Sequence, residues 1–290
     1  MFKILLKLNK KILKRWVFAV IALGLVIAYL IYVYSRPAEL EVDFLNVGQG
    51  DAALIKTPYG QTILIDGGPD NRLLRRLGEK LPYYKRKIDF VLISHYHDDH
   101  VMGLVEVAKR FKIGQLIYAS NLKSSPAIQE LAKYISRNTD RPGVAPNFSV
   151  DKQASLSLGA DCNLEFLNPV MLKIKSDDNN SLVAKLNCAG QSFLFTGDNS
   201  AVVEKALLKS DWKAQASVLK ASHHGSNSAN TEDFLRAVNP GLLVISVGLD
   251  NKFGHPHPKV IDRAGILSIP IKQTSQSGTI TIFSVKKPMN

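Results

Sequence analysis

The chain opens with a long apolar run and continues as a body in which short apolar segments alternate with turns. Residues 16–34 carry no charged side chain, and a helix of that length spans roughly 28 Å, about the thickness of a bilayer core. A cleaved signal peptide is the alternative, but the run is longer than the apolar region of most signal peptides, and no clear cleavage site follows it. We predict a basic cytoplasmic tail over residues 1–15, a transmembrane anchor over 16–34 and one domain over 38–290.

The first half of the body predicts a small group of strands followed by alternating strands and helices. Its first three apolar runs, ELEVDFLNV, AALIKT and TILIDGG, are typical of an antiparallel meander. Helices are expected at 71–81, 101–111 and near 127–135, and strands at 88–94 and near 116–119. The segment RNTDRPGVAPNF, residues 137–148, is expected to be a polar loop.

The second half of the body repeats this content. Strands are expected in ASLSLG, NLEFLN, SLVAKLN, SFLFTGD, ASVLKAS, LLVISVG, IPIKQT and GTITIFSV, and helices at 201–209, from 231 and near 259–267. Two halves of similar content suggest two sheets packed face to face with helices outside. We therefore predict an α/β fold, a four-layer αββα sandwich preceded by a single transmembrane helix.

The charge of the chain is unevenly distributed. It has 37 Lys and Arg against 25 Asp and Glu, a formal net charge of +12. Six of the basic residues lie in the first fifteen positions, ahead of any acidic residue, which leaves +6 for the rest. Because positive residues beside a span tend to stay in the cytoplasm, we expect the N-terminus inside and the body outside the cytoplasm. The mild positive charge of the body suits a polyanionic substrate.

The two cysteines, Cys162 and Cys188, are too few for a disulfide scaffold or a structural zinc site. In an oxidising compartment they could form one bridge, and two unpaired thiols in the core are an equal alternative.

The strongest chemical signal is the segment SHYHDDH, residues 94–100, between a predicted strand and a predicted helix. His95 and His97 are two positions apart on an extended segment, so their side chains project to the same side and can share a metal ion. Asp99 and His100 follow where the backbone turns and can bind a second ion. Four imidazole and carboxylate donors within six residues are hard to explain as packing, although a solvated polar loop is the alternative.

These residues resemble a known family. The run of His95, His97, Asp99 and His100, with LIDGG before it and FTGD after it, is similar to the metallo-β-lactamase superfamily of binuclear metal hydrolases. The segments FLNVGQGDA, NNSLVAKL, SHHGS and GHPHP more narrowly resemble the extracytoplasmic hydrolase domain of ComEC-type DNA-uptake proteins, without the membrane helices of the channel. Phosphorylcholine esterases of the same fold are also similar.

The resemblance implies roles for residues far from SHYHDDH. Asp198, at the end of FTGD, matches the carboxylate that bridges both metals. One of His223 and His224 should complete the second metal site while the other faces the substrate or a residue that supports a ligand. Asp66 and Asp51 match carboxylates that hold a ligand imidazole or lie near the metals, although Gly-rich turns are the alternative for both.

Two further segments have less certain roles. No histidine occurs between His100 and His223, whereas the family pattern has a third ligand of the first metal there. Asp177, Asp178 or Asn179 could replace it, with Asp178 our choice, and the oxygen-rich site would favour Mn over Zn; an exposed turn is the alternative. His255 and His257, between prolines, could bind a phosphate or protonate a leaving oxygen.

The resulting hypothesis is a membrane-anchored, extracytoplasmic hydrolase with one or two divalent ions, Zn or Mn. Its catalytic residues would be Asp99, Asp198, His255 and His257. A phosphodiester, DNA or a component of the cell envelope, is the expected substrate, and DNA-uptake machinery a possible partner. The alternatives are a hydrolase of a lactam, lactone or thioester, or a binding module whose metal site has decayed.

Overall fold

The computed structural model describes residues 2–35, 39–137, 147–169 and 181–284. The chain divides into two compact units, Met1–Ala38 and Glu39–Asn290. The first unit contains one helix, α1 (Phe2–Ser35), which also takes in most of the predicted basic tail. Within it, Ile12–Tyr29 has a mean hydropathy of 1.9 and no buried residue, so by length and composition this segment could cross a membrane.

The second unit alternates strands and helices. Its strands are β1 (Glu41–Phe44), β2 (Ala53–Lys56), β3 (Thr62–Ile65), β4 (Lys87–Ile93), β5 (Lys112–Ala119), β6 (Asn147–Val150), β7 (Gln153–Gly159), β8 (Cys162–Leu167), β9 (Val183–Cys188), β10 (Gln191–Phe195), β11 (Val218–Lys220), β12 (Leu242–Ile245), β13 (Ile271–Gln273) and β14 (Ile280–Phe283). Its helices are α2 (Arg72–Lys80), α3 (Asp98–Ala108), α4 (Pro126–Arg137), α5 (Ala201–Lys209), α6 (Glu232–Val238), α7 (Pro258–Ile266) and α8 (Thr274–Ser277).

The strands form two seven-stranded mixed sheets. The first has the order β14-β1-β2-β3-β4-β5-β6 and the second the order β13-β12-β11-β10-β9-β8-β7. In the first sheet the strands from β14 to β3 pair antiparallel, which confirms the predicted meander, and those from β3 to β6 pair parallel. The second sheet likewise combines antiparallel pairing from β7 to β10 with parallel pairing from β10 to β13.

Three apolar cores hold four layers together. One core contains side chains from both sheets, including Phe44, Phe166 and Phe193. A second joins the first sheet to α2, α3 and α4, and a third joins the second sheet to α5, α6 and α7. A sheet that is buried on both faces needs helices on its outer face, because apolar side chains alternate to both sides of each strand. The predicted αββα sandwich is confirmed.

The local boundaries differ from the prediction at two places that bear on the site. Helix α3 begins at Asp98, so Asp99 and His100 lie in its first turn rather than ahead of it. Residues Asn147 and Phe148, expected in a loop, begin β6, which pairs parallel with β5. A four-residue edge strand has too little local signal to be recognised, and its pairing with β5 supplies the hydrogen bonds that define it.

The two cysteines form a disulfide. Cys162 in β8 lies directly opposite Cys188 in β9, with a Cα–Cα distance of 4.0 Å. Facing positions on adjacent antiparallel strands bring the two Cβ atoms together, so the strand register decides the alternative that the sequence left open.

Candidate metal centre

The histidines of SHYHDDH lie where β4 ends and α3 begins. His95 is buried and is separated from the end of β4 only by Ser94, and His97 is the N-cap residue of α3. The Nε2 atom of His95 lies 3.0 Å from Nδ1 of His97, so two ring nitrogens converge on one point. Asp99 and His100, in the first turn of the helix, approach from a neighbouring direction.

Asp198 reaches the same place from the second sheet. It follows β10 through a tight turn in which Gly197 has a φ of 53°, and an added Cβ there would lie 2.5 Å from Cβ of Ser181. The backbone N–H of Asp198 donates to Oγ of Ser181 at 2.9 Å, which fixes the turn. Its carboxylate oxygens then lie 3.5 Å from Nε2 of His100 and 3.9 Å from Nε2 of His95.

The paired histidines after β11 have different positions. Both have left-handed backbone conformations, with φ of 50° for His223 and 52° for His224, a costly arrangement for residues other than glycine. His224 is buried, and its Nε2 lies 3.3 Å from Asp99 and 3.6 Å from Asp198. His223 is more exposed and lies 3.7 Å from Asp198. The strained turn therefore directs one ring inward and leaves the other at the surface.

A buried carboxylate supports this turn. Glu204 of α5 accepts hydrogen bonds from the backbone N–H groups of Asn230 and Thr231, at 2.6 and 3.0 Å. The side-chain oxygen of Asn230 in turn accepts from the N–H of Ser222, at 2.9 Å, immediately before the two histidines. Hydrogen bonds of this kind offset the cost of the left-handed residues.

The described residues form three candidate donor groups, two of which share Asp198, while the third contains Asp51, Asp66 and His100. Asp99, His100, Asp198 and His224 can direct one atom each to a common point, and so can His95, His97 and Asp198. Within the described part of the chain, Nε2 of His100, Nε2 of His224 and Oδ1 of Asp198 are buried and form no hydrogen bond. Buried polar atoms without a partner are costly, and a divalent cation would satisfy all three. The donor set therefore fits a metal ion.

The electrostatics of the cluster favour a cation. Burial opposes ionisation of Asp198, yet the imidazoles of His224 and His100 hold the pKa of its carboxyl well below the usual range. Burial would lower the pKa of His100, but Asp198 and Asp66 raise it well above the ordinary value. The same balance, with Asp198 and Asp51 as the charges, raises the pKa of His224 to about 9. The carboxylates thus create a negative potential at these rings. A metal ion can bind there in place of the protons on the imidazoles.

Two outer carboxylates orient the rings through their other nitrogen. Asp66 accepts from Nδ1 of His100 at 2.9 Å and also from Oγ and the backbone N–H of Ser94. The Nδ1 atom of His224 lies 3.0 Å from the carbonyl oxygen of Ser246 and 3.2 Å from Asp51, which forms an ion pair with Lys220. In both cases the Nδ1 atom faces a carboxylate and Nε2 is left facing the shared centre, the usual arrangement around a metal-bound histidine.

We expect Asp66→Asn to lower metal affinity about 10- to 100-fold, because the imidazole of His100 loses the anion that fixes its orientation and raises its basicity. Asp66 has a φ of 56°, a conformation that asparagine tolerates, so the backbone should be retained. Competition with a metal-chelating dye measures the affinity. The exposed Asp211→Asn variant is the matched control, and equal affinities of both variants and the wild type would contradict this role for Asp66.

The remaining predicted residues divide into those that lie beside the cluster and those that do not. The His255 ring is 5.7 Å from that of His223, and its Nδ1 is buried without a hydrogen bond within the described residues. His257 instead caps α7, where its Nδ1 accepts from the N–H of Lys259 at 3.2 Å. Asp178, with its neighbours Asp177 and Asn179, lies outside the described residues.

Sequence reasoning did not single out three residues that support the cluster. Glu204 and Asn230 gave no signal, because a lone acid on a helix and an asparagine in a loop are normally exposed. The position of Lys220 inside the apolar strand of ASVLKAS was a usable signal, since a charged residue in a buried strand needs a partner.

Comparison with known proteins agrees with this geometry. A family model described as the metallo-beta-lactamase superfamily matches residues 45–158, which include Asp51, Asp66 and the whole of SHYHDDH. Over these residues the chain is similar to this superfamily, which typically binds divalent metals. The resemblance drawn from the sequence is thereby confirmed.

Relatives with similar sequences include competence proteins. ComE operon protein 3 of Bacillus subtilis is 27% identical over 272 residues, which cover 88% of this chain and 34% of the relative. Competence protein ComA of Neisseria gonorrhoeae is 29% identical over 244 residues, covering 83% of this chain and 32% of the relative. The chain spans about a third of the length of these relatives.

Solved structures show the same fold. The metallo-beta-lactamase fold protein YhfI of Bacillus subtilis has a TM-score of 0.57 at 12% identity, covering 85% of this chain and all of that one. A diphosphatase of the PhnP family has a TM-score of 0.52 at 12% identity, with 84% and 97% covered. The family, the fold and the donor set support a metal-dependent hydrolase.

Proposed function

We propose that this chain is a metal-dependent phosphodiesterase that acts on DNA or on a phosphodiester of the cell envelope. The observation that carries the proposal is the shared position of Asp198 in two donor groups, one of which contains three buried atoms without a hydrogen bond. Two ions held by these groups would stabilise both the attacking and the leaving oxygen of a phosphoryl centre.

The two donor groups that contain Asp198 would each hold one ion. His95, His97 and Asp198 would hold the first, and Asp99, His100, Asp198 and His224 the second. The first group has three donors among the described residues, and Asp178 remains our choice for a fourth. Imidazole and carboxylate donors suit Zn and Mn, and the greater the oxygen share, the more the site favours Mn.

When bound, such ions lower the pKa of a coordinated water towards neutrality and neutralise charge on a phosphate. The protein's own groups do the rest. Asp66 and Asp51 keep the rings of His100 and His224 in the orientation that presents Nε2. His223, partly exposed, and His255, in ring contact with it, line the open side of the cluster and can donate hydrogen bonds to a phosphate oxygen or the leaving oxygen. His255 is our choice over His257 for this role, because only His255 is in ring contact with His223.

The location and partner follow from the rest of the chain. The apolar segment Ile12–Tyr29, the basic residues ahead of it and the disulfide suit a membrane-anchored protein whose body lies outside the cytoplasm. Competence proteins among the relatives make DNA our first substrate and DNA-uptake machinery the candidate partner. The formal charge of +6 outside the N-terminal tail agrees with a polyanion.

The test uses the full chain in detergent, stripped of metal and reloaded with Mn or Zn. Hydrolysis of bis(p-nitrophenyl) phosphate, of single- and double-stranded DNA and of a chromogenic β-lactam is measured for the wild type and Asp99→Ala. We expect phosphodiester turnover that the substitution abolishes, and DNA among the substrates.

Two results would overturn the proposal. Turnover of the lactam alone would identify a hydrolase that acts on carbon. A folded protein that takes up neither metal and hydrolyses nothing would identify a binding module.

A further inference from the structure

Two aromatic side chains that the proposed mechanism does not use border the metal centre. The Tyr96 ring lies 4.7 Å from that of His97, edge to face, and the Phe253 ring stacks on that of His255 at 5.8 Å and 25°. His97 belongs to the first donor group, and His255 is in ring contact with His223 and His224 beside the second. Each aromatic residue is therefore one ring removed from the cluster, at a different donor group.

A lysine side chain lies over each of these two rings. The Nζ atom of Lys123 lies over Tyr96 at 5.6 Å from the ring centre, and that of Lys252 over Phe253 at 5.3 Å. Both lysines are exposed, and 57% of Phe253 is exposed as well. The same aromatic and cationic pair thus occurs twice at the border of one site, on loops from different sheets.

We propose that Tyr96 and Phe253 are stacking platforms for nucleotide bases on the two sides of the scissile phosphodiester, and that Lys123 and Lys252 bind the adjoining phosphates. The ligand is single-stranded nucleic acid. The inference rests on the proposed phosphodiesterase function and extends it by naming the residues that select the substrate.

The relative strengths of the contacts allow Lys252 to move aside from Phe253. Stacking of a base on an aromatic side chain changes affinity by roughly 5- to 150-fold per base. A cation over an exposed ring is worth only about 2- to 5-fold. A base that arrives at Phe253 therefore displaces the ammonium group of Lys252, and this flexible side chain can then pair with a phosphate of the same strand.

The platforms also distinguish single strands from duplexes. Bases within a duplex are stacked on each other and do not offer a free face, so they must be unstacked before they can reach a side chain. A platform on each side of the metal centre therefore favours single-stranded DNA over the paired form. A small substrate such as bis(p-nitrophenyl) phosphate has no bases, so its rate of hydrolysis should depend little on either ring.

Binding without turnover provides the direct test. The full chain in detergent with EDTA is titrated into a fluorescein-labelled 12-nucleotide oligothymidine, and anisotropy gives Kd. We expect Phe253→Ala and Tyr96→Ala each to weaken binding roughly 5- to 100-fold. Phe253→Leu should be as weak as Phe253→Ala, whereas Phe253→Tyr should bind within about twofold of the wild type, because only an aromatic ring restores stacking.

Two controls separate stacking from general damage. Tyr83→Ala removes an aromatic residue that is 87% exposed, in the loop before β4 and thus at the opposite end of that strand from His95, and should leave Kd unchanged. An abasic oligomer of equal length should bind the wild type and Phe253→Ala equally, since it retains the phosphates and lacks the bases.

The failure of this inference differs from failure of the proposed function. If Kd for oligothymidine is unchanged in both Phe253→Ala and Tyr96→Ala, the platforms are overturned, even when bis(p-nitrophenyl) phosphate is hydrolysed. If the metal-loaded wild type hydrolyses no phosphodiester, the proposed function is overturned, whatever the binding data. Two results together would support the platforms. Kd for oligothymidine should rise in Phe253→Ala and Tyr96→Ala, and these variants should lose turnover of the oligonucleotide but not of the small diester.

Discussion

Asp198→Asn is expected to lower kcat/KM for a phosphodiester about 1,000-fold or more. Among the described residues, Asp198 is the one shared by the donor group of His95 and the donor group of His224, and the substitution replaces an anion by a neutral amide of the same shape. A group that positions two ions and balances their charge contributes several kcal/mol to transition-state stabilisation, which corresponds to this factor. The bound metal, measured by mass spectrometry of the purified protein, should fall together with the rate.

The loss of activity in Asp198→Asn can be distinguished from a loss of folding. The N–H of Asp198 donates to Ser181, a bond that the substitution leaves in place, so the circular dichroism of the variant should match that of the wild type. Asp211→Asn, an exposed carboxylate after α5, should retain full activity. A folded Asp198→Asn variant with normal metal content and more than a tenth of the activity would contradict the proposal that Asp198 would hold both ions.

Lys220→Met is expected to destabilise the body by about 3–5 kcal/mol. Lys220 is 3% exposed and pairs with Asp51, which is 6% exposed, so removal of the lysine leaves a buried carboxylate without its counter-ion. At roughly 2–4 °C per kcal/mol for a body of this size, Tm should fall by about 6–20 °C. Burial opposes ionisation of Asp51, and the ammonium of Lys220 is the main charge that keeps the pKa of this carboxyl low.

A double-mutant cycle shows whether the pair is the cause. Asp51→Asn combined with Lys220→Met should be less destabilising than the sum of the two single changes, because the double variant contains no unpaired buried charge. Lys133→Met, which removes a surface ion pair with Glu130 on α4, should change stability by about 0.5 kcal/mol or less. Additive effects of Asp51→Asn and Lys220→Met would contradict the pairing.

The local part of the metal centre could be predicted from the sequence. His95, His97, Asp99 and His100 lie within six residues, so the end of one strand and the start of one helix fix their relative positions. The alternation of strands and helices likewise follows from residue periodicity, which is why the meander and the αββα layers were recognised. Asp198 and the His223–His224 pair were found only through the family resemblance, since a Thr-Gly-Asp turn and a paired histidine have weak signals of their own.

Only the tertiary structure determined how the distant residues meet. Whether His223 or His224 turns inward depends on the left-handed backbone that Asn230 and Glu204 support, and none of these contacts can be read from local pattern. The chain-terminal strands β13 and β14 look alike in sequence, yet they join different sheets.

The pairing of Asp51 with Lys220 was also determined by the tertiary structure rather than by local sequence. Lys220 is the last residue of a buried strand and Asp51 lies in a loop, and they meet because the two sheets pack face to face. The sequence determined which short segments become strands and helices, since that depends on neighbouring side chains. The tertiary structure decided which strand ends share one edge, because that depends on the burial of both sheets together.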